Sequence, residues 1–369
     1  MDAYVALDDG TIAEGRGRVS GTTNGEIVFT TAYAGYEESL TDPSYRRQIL
    51  TFAYPLIGNY GVRGERFESD TIHPEATIAR ELTDNIVAWL REEGVPAIDR
   101  IDTRKLVVSI RNKGAMRCGI AVGEDVTPDD ARAQLDACAE MGDHLDIGSA
   151  VSVSRPVKHE PRMTNWDLKI ALLDCGVKRS ITDSFLDRGV TVYQLPYDAE
   201  AAAIDAIDPD LFFISNGPGD PASFGTAEQL VSEFAGEIPI AGICLGQQIV
   251  ARALGGSTEK LPFGHRGVNQ PVRDLEREQV LITTQNHGYN VGDPGQLEVT
   301  QVNLNDDTAE GLISRGPEVI TRQYHPEANP GPRDTLGFFD DMVTMAQSGM
   351  SASEHEGVSW REETTEKTD

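Results

Sequence analysis

Three short apolar runs in the second half of the chain, KIALLDCG, LFFISNGPG and IPIAGICLG, each stop at a glycine-rich turn. Between them lie RSITDSFLDRG and AEQLVSEFAGE, whose apolar residues recur at helical spacing. Near-continuous apolar strands need cover on both faces, which a parallel sheet between helical layers supplies. The expected fold is therefore α/β, with a C-terminal parallel-sheet domain over 169–350 preceded by a smaller mixed α/β domain over 1–150. In such sheets ligands sit outside the carboxyl ends of the strands. Gly176, Gly217, Gly219 and Gly246 fall at those ends.

The first 150 residues read differently. GEIVFTTAYAG and RQILTFAYPLIG are strand-like, broken by glycine and proline. ATIARELTDNIVAWLREEG places Ile78, Leu82, Ile86, Trp89 and Leu90 at helical spacing and closes on Gly94. TPDDARAQLDACAEM opens with Thr127 as a cap and acids in its first turn. SVSRPVKHEPRMTNWD has two prolines and no sustained period, so 151–168 is expected to link the domains. The polar stretch 351–369 is expected to be a disordered tail.

Charge narrows the function classes. Against 32 Lys plus Arg stand 60 Asp plus Glu, a formal net charge of −28, and only seven of the bases are lysine. Acids spread along the whole chain leave nothing to neutralise phosphates, which argues against a nucleic-acid partner. Self-repulsion of this size is relieved by concentrated salt, so a salt-rich cytoplasm, as in a halophile, is expected. No run is long and apolar enough to span a bilayer, and no secretory signal or membrane partner is expected. Cys118, Cys138, Cys175 and Cys244 are scattered with no CxxC, which fits reduced thiols and a cytoplasmic location. The seven histidines are also scattered, so no metal site is expected.

The chemistry centres on PIAGICLGQQIVARAL: a buried strand, a Gly-x-Cys-x-Gly turn, then a helix. This is the nucleophile-elbow layout with cysteine in place of serine. Gly242 and Gly246 permit the sharp turn, and a helix N-terminus favours thiolate at Cys244. A core thiol is the alternative at that point. Cys175, which lacks the preceding glycine, serves as a structural control. RQYHPEANPGP offers a base, His325, and an orienting acid, Glu327, two apart in what reads as an extended run. SNGPGDP offers backbone groups at Gly217 and Gly219, and QNHGYNV puts Asn286, Gly288 and Tyr289 in what reads as a strand-end loop.

With those motifs in view, the C-terminal half resembles class I, triad-type glutamine amidotransferases. Over about residues 3–345 the chain resembles the small, glutamine-hydrolysing subunits of carbamoyl-phosphate synthetases. The N-terminal pieces GYEESLTDPSYRRQI and DTRKLVVSIRNKGA, with LLDCGVKRSI, carry that second likeness. The resemblance implies that Cys244 attacks the glutamine side-chain amide. It also implies that His325 protonates the leaving ammonia and then activates water, with Glu327 orienting it. Gly217 and Leu245 would supply oxyanion N–H groups. Gly219, Gln248, Asn286, Gly288 and Tyr289 would hold the substrate's α-amino and carboxylate ends, and Ser44 would reach in from the N-terminal domain. Gln247 stands where the family commonly has histidine or another residue, and Tyr289 where phenylalanine is common. Neither change removes a chemical role.

The resemblance further implies a large-subunit partner that uses ATP, magnesium and bicarbonate and receives ammonia through an internal channel. This chain has no Walker-type motif and is expected to hold no cofactor of its own. The product, carbamoyl phosphate, would feed pyrimidine and arginine synthesis. Glutaminases of anthranilate or guanylate synthesis share the elbow, but the N-terminal domain argues against them. A cysteine hydrolase acting on peptides and a silent docking subunit remain as rivals, which peptide screening and glutamate release would separate.

Overall fold

The computed structural model describes residues 1–163 and 167–351. In the N-terminal half seven strands close into a barrel. Around the wall they run Asp2–Leu7, Ile12–Val19, Ala97–Asp99, Ala76–Ile78, Gln48–Phe52, Gly21–Thr30 and Met116–Gly123, and the last pairs with the first. Its core holds Val5, Ile27, Ile49, Ile78 and Ile120. The pattern read as one helix from Ile78 divides: Ala76–Ile78 and Glu81–Leu82 are strands, and the helix spans only Asp84–Glu92. Ile78 and Leu82 are buried by sheet packing rather than by a helical face. The expected cap at Thr127 is present, its N–H donating to Asp130 of the helix Pro128–Asp136.

The C-terminal half is built on a ten-stranded sheet. Five strands are parallel: Thr191–Pro196, Lys169–Asp174, Leu211–Ile214, Ile240–Ile243 and Glu318–Arg322. Alternate residues along them serve opposite faces. Ala171, Leu173, Phe212 and Ile214 pack under the helices Gly225–Phe234 and Leu245–Ala253. Ile170, Leu172, Leu211 and Phe213 pack under the helices Arg179–Leu186 and Gly337–Ser351. Double cover explains why these strands are apolar throughout.

Beyond Glu318–Arg322 the sheet turns antiparallel through Ala309–Arg315, Glu298–Asn303, Ser257–Asp274 and Gln279–Asp293, so it is mixed rather than wholly parallel. The segment expected to be only a linker contributes an edge strand, Val157–His159, paired with Thr191–Pro196. The stretch expected to be a disordered tail lies outside the described residues except for Ser351, the last residue of its helix. Among the described residues no helix is long and apolar enough to cross a membrane.

Candidate active site

The strand Ile240–Ile243 ends at Cys244, and the helix Leu245–Ala253 starts at the next residue. So abrupt a reversal forces Cys244 to a φ of 56°, a region that L side chains rarely adopt outside strained functional turns. The two flanking glycines have steric causes. A Cβ on Gly246 would lie 2.1 Å from the carbonyl oxygen of Ile214, and one on Gly242 would lie 2.7 Å from the carbonyl carbon of Gly246. The elbow expected from the sequence is therefore present. Cys244 sits at the positive end of a nine-residue helix, its Sγ 3.7 Å from the carbonyl oxygen of Asn286.

The neighbouring strand delivers the imidazole. Strand Glu318–Arg322 pairs in parallel with Ile240–Ile243, and His325 follows three residues after its end, held by its N–H to the carbonyl of Thr284 (2.8 Å). The run does not continue extended to Glu327. It turns at Pro326, and the N–H of Ala328 closes back on the carbonyl of His325 (3.1 Å). The side chains meet across that turn, with His325 Nδ1 2.6 Å from Glu327 Oε1. This contact ties up Nδ1 and leaves Nε2 buried with no hydrogen-bond partner among the described residues.

The same Glu327 oxygen accepts from the Lys178 ammonium at 2.8 Å, and Lys178 also donates to the carbonyl of Asn329 (2.8 Å). His325 is pushed up to about 10: burial works against the charged ring, but Glu327 and the Cys244 side chain outweigh it. Glu327 is held at about 2, again against burial, by Lys178 and His325. Lys178 is raised despite burial by Glu327 and then by Glu68. Behind it, Glu68 is pushed to about 7 by burial, although Lys178 and Ser180 favour its charged form. Glu68 belongs to the N-terminal half and clamps Ser180 through its N–H (3.0 Å) and hydroxyl (2.7 Å).

A cavity of about 380 Å³ is lined by Cys244 and by every binding residue named from the sequence: Ser44, Gly217, Gly219, Leu245, Gln248, Asn286, Gly288 and Tyr289. The Ser44 hydroxyl accepts from Asn216 Nδ2 (3.0 Å), and Asp42 accepts from Asn286 Nδ2 (2.8 Å), so the N-terminal half forms one wall. Gln248 donates to the carbonyl of Tyr289 (2.7 Å). Asn286, Gly288 and Tyr289 are not in a strand-end loop. They lie inside the long strand Gln279–Asp293, whose pairing with Ser257–Asp274 is interrupted between Lys260 and His265. Gln247 faces away from this chemistry. It is fully buried, donating to the carbonyl of Ala309 and accepting from Thr321. A second cavity, about 330 Å³, lies beyond Asn286, which lines both. Its walls include His325, Lys178, Asp42 and Pro330.

Sequence reasoning missed Lys178, Asp42 and Arg266, which lie around these cavities. Lys178 had a weak signal, being one of few lysines and sitting just past a strand-end glycine. It also missed that the scattered His265, His287 and Glu310 come together, buried, with their ligand-type atoms within 4.8 Å of one another. These three could hold a metal ion. Here their partners are protein groups: His265 Nε2 bonds Asp306, and Glu310 Oε1 accepts from Gln285 and Asn303.

Residues 171–345 match the class-I glutamine amidotransferase family, and residues 5–120 match the carbamoyl-phosphate synthase small chain, CPSase domain. A carbamoyl phosphate synthase small chain from Halobacterium salinarum is 63% identical over 347 residues, covering 94% of this chain and 97% of its own. Small chains from Archaeoglobus fulgidus and Methanocaldococcus jannaschii are 46% and 42% identical, each covering 94% of this chain and 99% of its own.

Proposed function

The chain belongs to the family of carbamoyl phosphate synthase small chains, the glutamine amidotransferase subunits of that synthase, and we propose that Cys244, His325 and Glu327 form its glutamine-hydrolysing triad. The observation that carries this is an elbow thiol in one cavity interacting with an imidazole from the wall of the adjoining cavity, whose Nδ1 is bound to a buried carboxylate.

The steps follow from which atoms are free. His325 Nε2, left open by the Nδ1 contact on a ring whose pKa is raised to about 10, holds the proton given up by Cys244, and the Sγ thiolate adds to the side-chain amide carbon of glutamine. The resulting oxyanion receives N–H groups from Leu245, the first residue of a helix and so without an intrahelical acceptor, and from Gly217. His325 returns the proton to the nitrogen, ammonia leaves, and a γ-glutamyl thioester remains on Cys244. Water, deprotonated by the same imidazole, then releases glutamate and restores the thiol. Glu327 keeps the ring in the useful orientation throughout. Gly219, Gln248, Asn286, Gly288, Tyr289 and Ser44 hold the rest of the substrate.

Ammonia then passes through the cavity beyond Asn286 towards a large subunit, which supplies ATP, magnesium and bicarbonate chemistry and makes carbamoyl phosphate for pyrimidine and arginine synthesis. The setting is a salt-rich cytoplasm, a reading supported by the net charge of −28 and the Halobacterium relative. Glutamate release from glutamine in molar KCl tests the proposal, alone and with the large subunit, ATP and bicarbonate. Release that the partner accelerates, and that Cys244→Ser abolishes, is expected. A complex that makes carbamoyl phosphate only from added ammonia would reduce this chain to a docking subunit.

A further inference from the structure

Arg266 is a buried cation with too few partners. Its residue is 4% exposed, yet it lines the same cavity as Cys244. Among the described residues the guanidinium donates once, from Nη1 to the carbonyl of Phe263 (2.7 Å), and Nε is buried with no partner. It makes no ion pair with a carboxylate among the described residues. The acid nearest in kind, Glu26, lines the cavity too but is engaged by Lys260 (2.6 Å) and by Gln48 (3.2 Å). Burial pulls Arg266 below the usual guanidinium range, with Glu26 opposing.

Charges out of water are retained where an opposite charge meets them. Arg266 lies against Gly288, since a Cβ there would meet Nη2 at 3.2 Å, and Gly288 is itself part of the cavity wall. The missing counter-charge therefore has to come from whatever fills the cavity. A planar fork of N–H donors fits a carboxylate. Given the glutaminase reading above, on which this rests, we propose that Arg266 binds the α-carboxylate of glutamine and makes the site select α-amino acids over simple amides.

The test compares glutamine with 4-aminobutanamide, which is glutamine without its α-carboxylate, using the full chain with its large subunit, ATP and bicarbonate. In Arg266→Met, kcat/KM for glutamine should fall about 100-fold, the size expected when one partner of a buried charge pair is removed. For 4-aminobutanamide it should stay near the wild-type value, so discrimination collapses. Arg266→Lys keeps the charge but loses the fork, and should discriminate to an intermediate degree. If Arg266→Met fails to fold, Arg266→Lys decides: its loss must be larger for glutamine than for the amide. Equal losses for both substrates overturn the proposal. Should the wild type release no glutamate at all, the glutaminase reading falls separately. Equilibrium binding of L-glutamine to Cys244→Ser, with and without Arg266→Met, still decides the role of Arg266. A drop of about 100-fold supports it, and unchanged affinity overturns it.

Discussion

Cys175 and Cys244 end two strands of one sheet, with Leu211–Ile214 between them, and both thiols are buried. Among the described residues only Cys244 meets a base. At Cys175 the chain runs on to Arg179 before a helix begins, and Asp174 fastens the intervening turn by accepting from the N–H groups of Gly176 and Val177. The Cys175 side chain packs with Leu173 and Ile214, and burial pushes its thiol well above the usual range. At Cys244 the helix begins at once, the backbone is strained, and His325 arrives from the adjacent strand. In the proposed mechanism a strand-end thiol serves as nucleophile because the turn aims it into a cavity and a neighbouring strand brings the imidazole.

The comparison breaks most visibly by exchanging the thiols one at a time. Cys244→Ala should lower glutamate release by about 10⁴-fold or more, as loss of a triad member does elsewhere. Cys175→Ser should leave turnover within about twofold while costing about 1–3 kcal/mol of stability in urea unfolding, because it buries a hydroxyl in an apolar site. Substantial loss of turnover in the second variant would erase the distinction.

Lys178 sharpens it next. Lys178→Met removes the cation that holds Glu327 down, so Glu327 should protonate at higher pH. The acid limb of the kcat/KM profile should then move up by about one unit. An unmoved limb would remove Lys178 from the account.

Stability against pH gives a smaller effect with a defined sign. Glu327 falls from 4.5 to about 2 on folding, so its contribution is present above 4.5 and lost as pH drops towards 2. His325 rises from 6.5 to about 10, so its contribution is complete below 6.5 and lost as pH climbs towards 10. Both are complete between 4.5 and 6.5. The advantage of wild type over His325→Gln in urea unfolding should therefore be largest there and shrink above pH 6.5; a constant difference up to pH 10 would contradict the pairing.

The least site-specific effect is that of salt. Wild type and Cys175→Ser should both gain a few degrees in unfolding midpoint between low and molar KCl, because screening relieves the net charge of −28. No gain would remove the halophilic reading.

The parallel half of the sheet was legible because doubly covered strands are apolar throughout, and the elbow because an apolar strand, the Gly-x-Cys-x-Gly turn and a helical pattern follow one another. The barrel was not legible. Its closure rests on pairings between segments far apart in sequence, such as Asp2–Leu7 with Met116–Gly123, and short strands such as Ala76–Ile78 blend into a helical pattern. The binding residues named from the sequence line one cavity, although Asn286, Gly288 and Tyr289 sit mid-strand. Arg266 escaped, and Lys178 left only the weak signal of a scarce lysine beside a strand-end glycine, because burial of a charged residue is a property of tertiary packing.

The most direct test is to mix the full chain and its large subunit with labelled glutamine, quench in acid within the turnover time, and map adducts by peptide mass spectrometry. A γ-glutamyl adduct on the Cys244 peptide and none on the Cys175 peptide is the predicted result. Steady glutamate release with no adduct on Cys244, or with label on Cys175, would contradict the account.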